Sequence, residues 1–397
     1  MNAAPDDFVQ NLRIPDNLLP ADGRFGCGPS RIRPEAMAGL AAPTSILGTS
    51  HRQAPVKQVV AELRAGLTEL YHAPDGYQVA LGDGGATLFW DAAACCLVRN
   101  RAACGVFGAF SNKFAVELQQ SPFLADPAIF SAEPGSVCLP SAVADVDAYC
   151  WPHNETSTGA RVPVERPEGI DEDDLVLVDG TSAAGAIPVD VSQTDAYYFS
   201  AQKNLAADGG MWLAFLSPAA IERIGELSAS ARWVPGILNL QKALDNSVKD
   251  QTFNTPSLSA LQMARDQVSW VLDKGGMNWV AARTSRSSQL LYSWASDRPW
   301  ARPFVENPQY RSPVTATIDF DEAIDATVLC EVARANGIVD IDGYHKLGRN
   351  QIRVGTFASV DPDDVEALIA CLDWIVERIA DESWTTRTEP RLEHHGV

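Results

Sequence analysis

Between Gly26 and Leu216 the chain alternates short apolar runs with amphipathic helical stretches, and this alternation is what most restricts its fold. Segments 77–81, 105–108, 147–151, 175–178, 196–199 and 211–216 read as strands, and 86–98 and 112–120 as helices between them. Strand and helix in turn, at this spacing, predict an α/β sheet with crossover helices. Two of the runs end in a polar side chain with chemistry of its own. Leu175-Val176-Leu177-Val178 ends in Asp179, and Tyr197-Tyr198-Phe199-Ser200 runs into Ala201-Gln202-Lys203-Asn204.

Downstream the pattern changes. Residues 257–295 carry Leu258, Leu261, Val268, Val271 and Leu272 at roughly helical spacing and predict one or two long helices. Segments 314–320, 337–341 and 351–357 read as strands, with helices over 321–336 and 362–380. The last helix is well signalled. Asp361 caps it, Pro362 suits its first position, and Val365, Leu368, Ile369, Leu372, Ile375, Val376 and Ile379 keep its period. The expected fold class is α/β: a large domain, 24–270, on a mostly parallel sheet flanked by helices, and a smaller α+β C-terminal domain, 271–380. The segment 1–23 is expected to pack nearby, and 381–397 forms a polar tail. Its Leu392–His395 stretch looks like a vector remnant and supports no metal site.

At 397 residues two domains are the default. A formal charge of −20 argues against a nucleic-acid surface, which needs clustered cations. An anionic ligand must then be met by particular Arg, Lys or His side chains. The first 22 residues have neither the basic nor the apolar region of a signal peptide, and no run of eighteen apolar residues reads as a membrane span. The eight cysteines form no C-x-x-C pair and sit in apolar contexts, so buried thiols in a cytoplasmic protein are expected.

The Asp179 and Lys203 pair suggests a specific chemistry. A pyridoxal 5′-phosphate (PLP) enzyme needs a lysine for the Schiff base and a carboxylate facing the pyridinium nitrogen. The chain has seven lysines, and Lys203 is the one that follows a hydrophobic strand. Desolvation there lowers its pKa and frees the amine as a nucleophile. The glycine loop 82–87 precedes a helix and suits an anion, although alone it reads more readily as a tight turn. Phe107 and Phe110 are candidates to stack on a flat ring, or ordinary core residues. The loop 153–159 gathers hydrogen-bonding side chains at another strand end. The turn 253–256 reads also as a helix start, with Thr255 as cap. Cationic candidates are Ser50-His51-Arg52, His345-Lys346 with Arg349, and Arg353, whose apolar neighbours Ile352 and Val354 disfavour surface pairing.

Together these pieces make the chain resemble the phosphoserine aminotransferase family of class V, fold-type I PLP enzymes. The resemblance spans about 24–379. It rests on Gly28-Pro29-Ser30, Ser50-His51-Arg52, Gly84-Gly85-Ala86-Thr87, Asn154-Glu155-Thr156, Asp179-Gly180-Thr181-Ser182, Ala201-Gln202-Lys203-Asn204, Phe253-Asn254-Thr255-Pro256, and His345-Lys346 with Arg353. The resemblance implies that Lys203 carries PLP and shuttles the substrate proton, while Asp179 pairs with the ring nitrogen. Phe110 stands where a stacking Trp is usual, and Thr156 meets the ring hydroxyl. Gly85, Ala86, Thr87 and Gln202 hold the phosphate, with Asn254 and Thr255 reaching it from the other subunit of a homodimer. Arg353 grips the α-carboxylate. His51 with Arg52, and His345 with Lys346, hold the distal phosphate or carboxylate. The implied reaction passes the amino group of glutamate to 3-phosphohydroxypyruvate in two half-reactions. Two departures stand out. Cys27 replaces a common serine next to the substrate site, and Ala86-Thr87 replaces a common arginine in the glycine loop.

Two related activities compete, a serine–pyruvate-type aminotransferase and a cysteine desulfurase. A desulfurase needs a mobile, exposed nucleophilic thiol, whereas Cys330 and Cys371 sit in apolar helices. A regulatory PLP-fold protein would carry a DNA-binding module, and no basic segment of that kind is visible.

Overall fold

A computed structural model of the chain describes residue 9 and residues 11–379. The chain's first helices are α1, Pro34–Ala41, and α2, Ala54–Tyr71. A seven-stranded sheet then dominates. Its strands are β1, Gln78–Asp83; β2, Ala102–Val106; β3, Ala128–Ser131; β4, Ala148–Pro152; β7, Leu175–Asp179; β8, Ala196–Ser200; and β9, Met211–Leu216. The hairpin β5–β6, Asn154–Glu155 with Ala160–Arg161, stands off the end of β4. The strand order is β1-β9-β8-β7-β4-β2-β3. Only β9 runs against its neighbours, and the remaining pairings from β8 to β3 are parallel.

Every residue of β7, β8 and β9 is buried, as expected of strands covered on both faces. Alternate side chains feed two different cores. Val176, Val178, Tyr197 and Phe199 face one, with α2 and α7, Leu258–Asp273. Leu175, Leu177, Ala196 and Tyr198 face the other, with α3, Ala86–Cys96; α4, Ala109–Gln120; α5, Pro218–Ala229; and α6, Leu240–Ser247. The carboxyl ends of β1, β2, β4, β7 and β8 share one edge, the usual ligand edge of an open α/β sheet.

The long helical stretch resolves into two helices. Gly275 and Gly276, with φ of +120° and +67°, break it, and α8 runs Gly276–Ser296. A third core lies between the C-terminal half of α8; a three-stranded antiparallel sheet of β10, Ala301–Pro303, β11, Thr315–Phe320, and β12, Gln351–Gly355; and helices α9, Ala326–Ala335, and α10, Pro362–Ile379. Val9, Ile14 and Phe25 join this core, and the Ala21 amide donates to Asp364 Oδ1 at 2.8 Å. The polar tail 381–397 lies outside the described residues.

Some details differ from the sequence reading. Residues 337–341 are not a strand, because only Val339 forms a bridge, to Arg24. The second strand ends at Val106, since Gly108 must open α4 beside a buried carboxylate, as described below.

Candidate active site

Five strand ends converge on a cavity of about 360 Å³. Lys203 enters it from the turn after β8 and is 7% exposed. Its Nζ donates to Thr156 Oγ1 at 3.0 Å and lies 5.6 Å from the centre of the Phe110 ring. Burial is the main reason its pKa falls from 10.5 to about 8. The Arg353 charge adds to the fall, while Cys27, Asp179 and Glu155 oppose it. Gly28, at φ +131°, lets the backbone pass close by, since a Cβ there would sit 2.8 Å from Lys203 Cε.

Asp179 ends β7 in the same cavity. It accepts from Thr181 N–H at 2.8 Å on one oxygen and from Trp90 Nε1–H at 3.0 Å on the other. Burial raises its pKa, and the contacts to Thr181, Trp90 and Lys203 pull the other way. A protonated ring nitrogen would therefore meet a carboxylate that lacks water and is already aimed.

The glycine loop opens α3. Gly84 takes φ +96°, Gly85 and Ala86 line the cavity, and the Ala86 amide donates to Ser200 Oγ at 2.5 Å. The first-turn amides of a helix lack intrahelical partners and favour an anion. Thr87 and Gln202 line the same end, and Gln202 Oε1 is buried without a protein partner.

Phe110 is placed by a buried carboxylate. Glu155 is fully buried and accepts from the amides of Phe110, Ser111 and Ser157 and from the hydroxyls of Ser111 and Ser157. A Cβ on Gly108 would come within 2.3 Å of Glu155 Cγ, so only glycine fits there. Phe107 is fully buried in the core and does not reach the cavity.

Arg353 crosses from β12. Its Nη1 donates to the Thr156 carbonyl at 3.0 Å, its guanidinium lies 5.2 Å from the centre of the Tyr344 ring, and its Nε is buried without a partner. Cys27 lies beneath it, with the thiol donating to the Arg353 carbonyl at 3.7 Å. Burial raises the Cys27 pKa, so it stays a neutral thiol.

Four predicted residues gather elsewhere. His51 and Thr255 meet at 3.1 Å, and Arg52 donates to Asn246, Gln251 and the carbonyls of Thr252 and Phe253, next to Asn254. None of His51, Arg52, Asn254 and Thr255 lines the Lys203 cavity. His345 and Lys346 are exposed in the turn after Tyr344, which does line it. Arg349 is taken by Asp319 at 2.5 Å. Trp90 and Tyr344 also line the cavity and belong to none of the sequence motifs, while Ser182 and Ser200, which lie in two of them, line it without a role assigned from sequence. Trp90 was legible only as a helix residue four positions after Ala86, on the same face.

The cavity suits PLP on its own terms. It offers one desolvated amine, one buried carboxylate, an aromatic face and a helix N-terminus. Asn154 Oδ1, Thr181 Oγ1, Gln202 Oε1 and Arg353 Nε in its wall have no protein partner. A larger cleft of about 680 Å³ beside Tyr71 collects none of the predicted site residues. Among the described residues no group of three or more His, Cys, Asp or Glu gathers as a metal site.

Residues 144–367 match the class V aminotransferase family model. The chain belongs to the class V aminotransferase family. It is 53% identical over 372 residues to a provisionally named phosphoserine aminotransferase of Mycolicibacterium vanbaalenii, covering 94% of this chain and 100% of that one. It is 51% identical over 367 residues to the phosphoserine aminotransferase of Rhodococcus jostii, covering 92% of this chain and 98% of the relative. Its fold matches a phosphoserine aminotransferase structure from Cytophaga hutchinsonii with TM-score 0.81 at 22% identity, covering 89% of this chain and 99% of that one. Enzymes of this family work with PLP, and this class V aminotransferase is a PLP-dependent transaminase.

Proposed function

We propose that the chain is a phosphoserine aminotransferase that moves the amino group of glutamate to 3-phosphohydroxypyruvate, giving phosphoserine and 2-oxoglutarate. The observation that carries this reading is Lys203 and Asp179 in one buried cavity whose wall includes the unpaired Arg353 Nε. Identity above 50% to relatives bearing that name supports the substrate. Bound here, PLP supplies an electron sink next to the substrate Cα.

The protein's own residues do the rest. Lys203 takes the proton from the substrate Cα and holds it on Nζ, and a positioned acid–base of this kind contributes roughly 10²–10⁴-fold to rate. Asp179 pairs with the ring nitrogen, and Phe110 covers a ring face. Thr156 meets the ring hydroxyl. Gly85, Ala86, Thr87 and Gln202 hold the phosphate. Arg353 binds the α-carboxylate with its planar fork. Cys27 forms a small, unreactive wall beside it.

We assign His51, Arg52, Asn254 and Thr255 to the partner's cavity in a homodimer. Their clustering outside this cavity supports that assignment, as do the exposed apolar Leu47 and Val248 in the adjoining segments. His345 and Lys346 hold the distal anionic group of the substrate. The larger unit is 24–270 and the smaller 271–380. The eight unpaired cysteines support a cytoplasmic setting. They also oppose a desulfurase, since burial raises the pKa of both Cys330 and Cys371.

A turnover assay with glutamate as donor, comparing 3-phosphohydroxypyruvate with pyruvate, tests the reading. A clear preference for the phosphorylated acceptor is expected. Equal or better turnover with pyruvate, or sulfide release from cysteine, would replace it with one of the related activities.

A further inference from the structure

The two oxygens of Asp179 are held by different means. Thr181, two residues along, donates to one in an ordinary turn contact. Trp90 donates to the other from α3, 89 residues away in sequence. Burial alone does not force that contact. Trp151 and Trp212 are 2% and 1% exposed, and their indole nitrogens have no partner in the structure. The fold leaves those two unpaired and spends the third on a buried carboxylate. Trp90 also sits one turn past Ala86, so one helix presents its first turn to the cofactor phosphate and its second to Asp179.

We infer that Trp90 is a positioning residue, whose indole N–H holds the Asp179 carboxylate in one orientation for the ring nitrogen of bound PLP. The inference rests on the PLP reading given above. It has a plain competitor, because Trp90 also stacks on Phe114, with centroids 6.0 Å apart, and packs in the second core. The two roles separate in Trp90→Phe, which keeps an aromatic ring against Phe114 and removes the donor, when it is read beside Trp90→His, which also loses the indole's bulk but keeps a ring N–H.

The first readout is the dissociation constant of PLP, measured by fluorescence titration of the apoenzyme. A hydrogen bond to a charged group corresponds to about a tenfold change in affinity. Trp90→Phe is expected to bind PLP about tenfold more weakly, while Trp90→His, which keeps a ring N–H, recovers part of the loss. In an Asp179→Ala background Trp90→Phe is expected to change nothing further, since the group it serves is gone. With PLP saturating, kcat is expected to fall while KM for glutamate holds. Wild-type affinity in Trp90→Phe would overturn the inference. So would equal weakening by the Phe and His variants, or an undiminished effect beside Asp179→Ala. Failure of the wild-type protein to take up PLP would instead sink the underlying PLP reading.

Discussion

Lys203 is set apart from the other six lysines by its surroundings, and its acidity can be measured residue by residue. Burial brings its pKa from 10.5 to about 8. At pH 7 that leaves about 9% of the amine neutral, against about 0.03% for a lysine in water, an advantage of about 300-fold in nucleophile. Competitive labelling of the apoenzyme with a small acylating reagent, read by mass spectrometry, gives each lysine its own titration midpoint. Access through the cavity scales the absolute rate of Lys203 but leaves its midpoint alone. The expected midpoint is near 8. Two substitutions then move it in opposite directions. Arg353→Gln removes a nearby cation and raises the midpoint, and Asp179→Asn removes a nearby anion and lowers it. A Lys203 midpoint close to 10.5, or shifts of the same sign in both variants, would refute the electrostatic account of this site.

Two further outcomes are expected, the first from the geometry and the second from the proposed dimer. Glu155→Ala strands the amides of Phe110, Ser111 and Ser157 and the Ser157 hydroxyl in the interior, and is expected to destabilise the protein by about 3 kcal/mol or more. Chemical denaturation checks this, and a loss below about 1 kcal/mol contradicts it. Mixing inactive Lys203→Ala chains with inactive Arg52→Ala chains is expected to restore activity. In the proposed dimer a mixed pair would have one cavity with both an intact Lys203 and an intact partner Arg52. Mixed dimers with no activity would place Arg52 in its own chain's site.

Much of this arrangement is legible in the sequence, because backbone direction carries it. Asp179 and Lys203 each end an apolar run, and parallel strands bring such ends to one edge. Glycines at 84 and 85 mark a place where the backbone has to turn, whereas Gly108 reads as part of a strand and its close approach to Glu155 shows only in the fold. What stayed hidden depended on side-chain reach. Glu155 reads in sequence as one acid in a polar loop, yet it is wholly buried and joins that loop to the start of α4. Tyr344 gives no signal, since it sits at no motif position of its own. The helices α1, α2, α5 and α6 are equally hard to read from sequence. Their apolar stripes are set by which sheet face they cover, which the strands' own pattern does not show.

Mapping where the cofactor attaches tests the central claim most directly. The PLP-loaded protein would be reduced with borohydride, digested, and its peptides sequenced by mass spectrometry. The pyridoxyl group is expected on the peptide containing Lys203 and on no other of the seven lysines. Its recovery on a different lysine, or on none, would contradict the account.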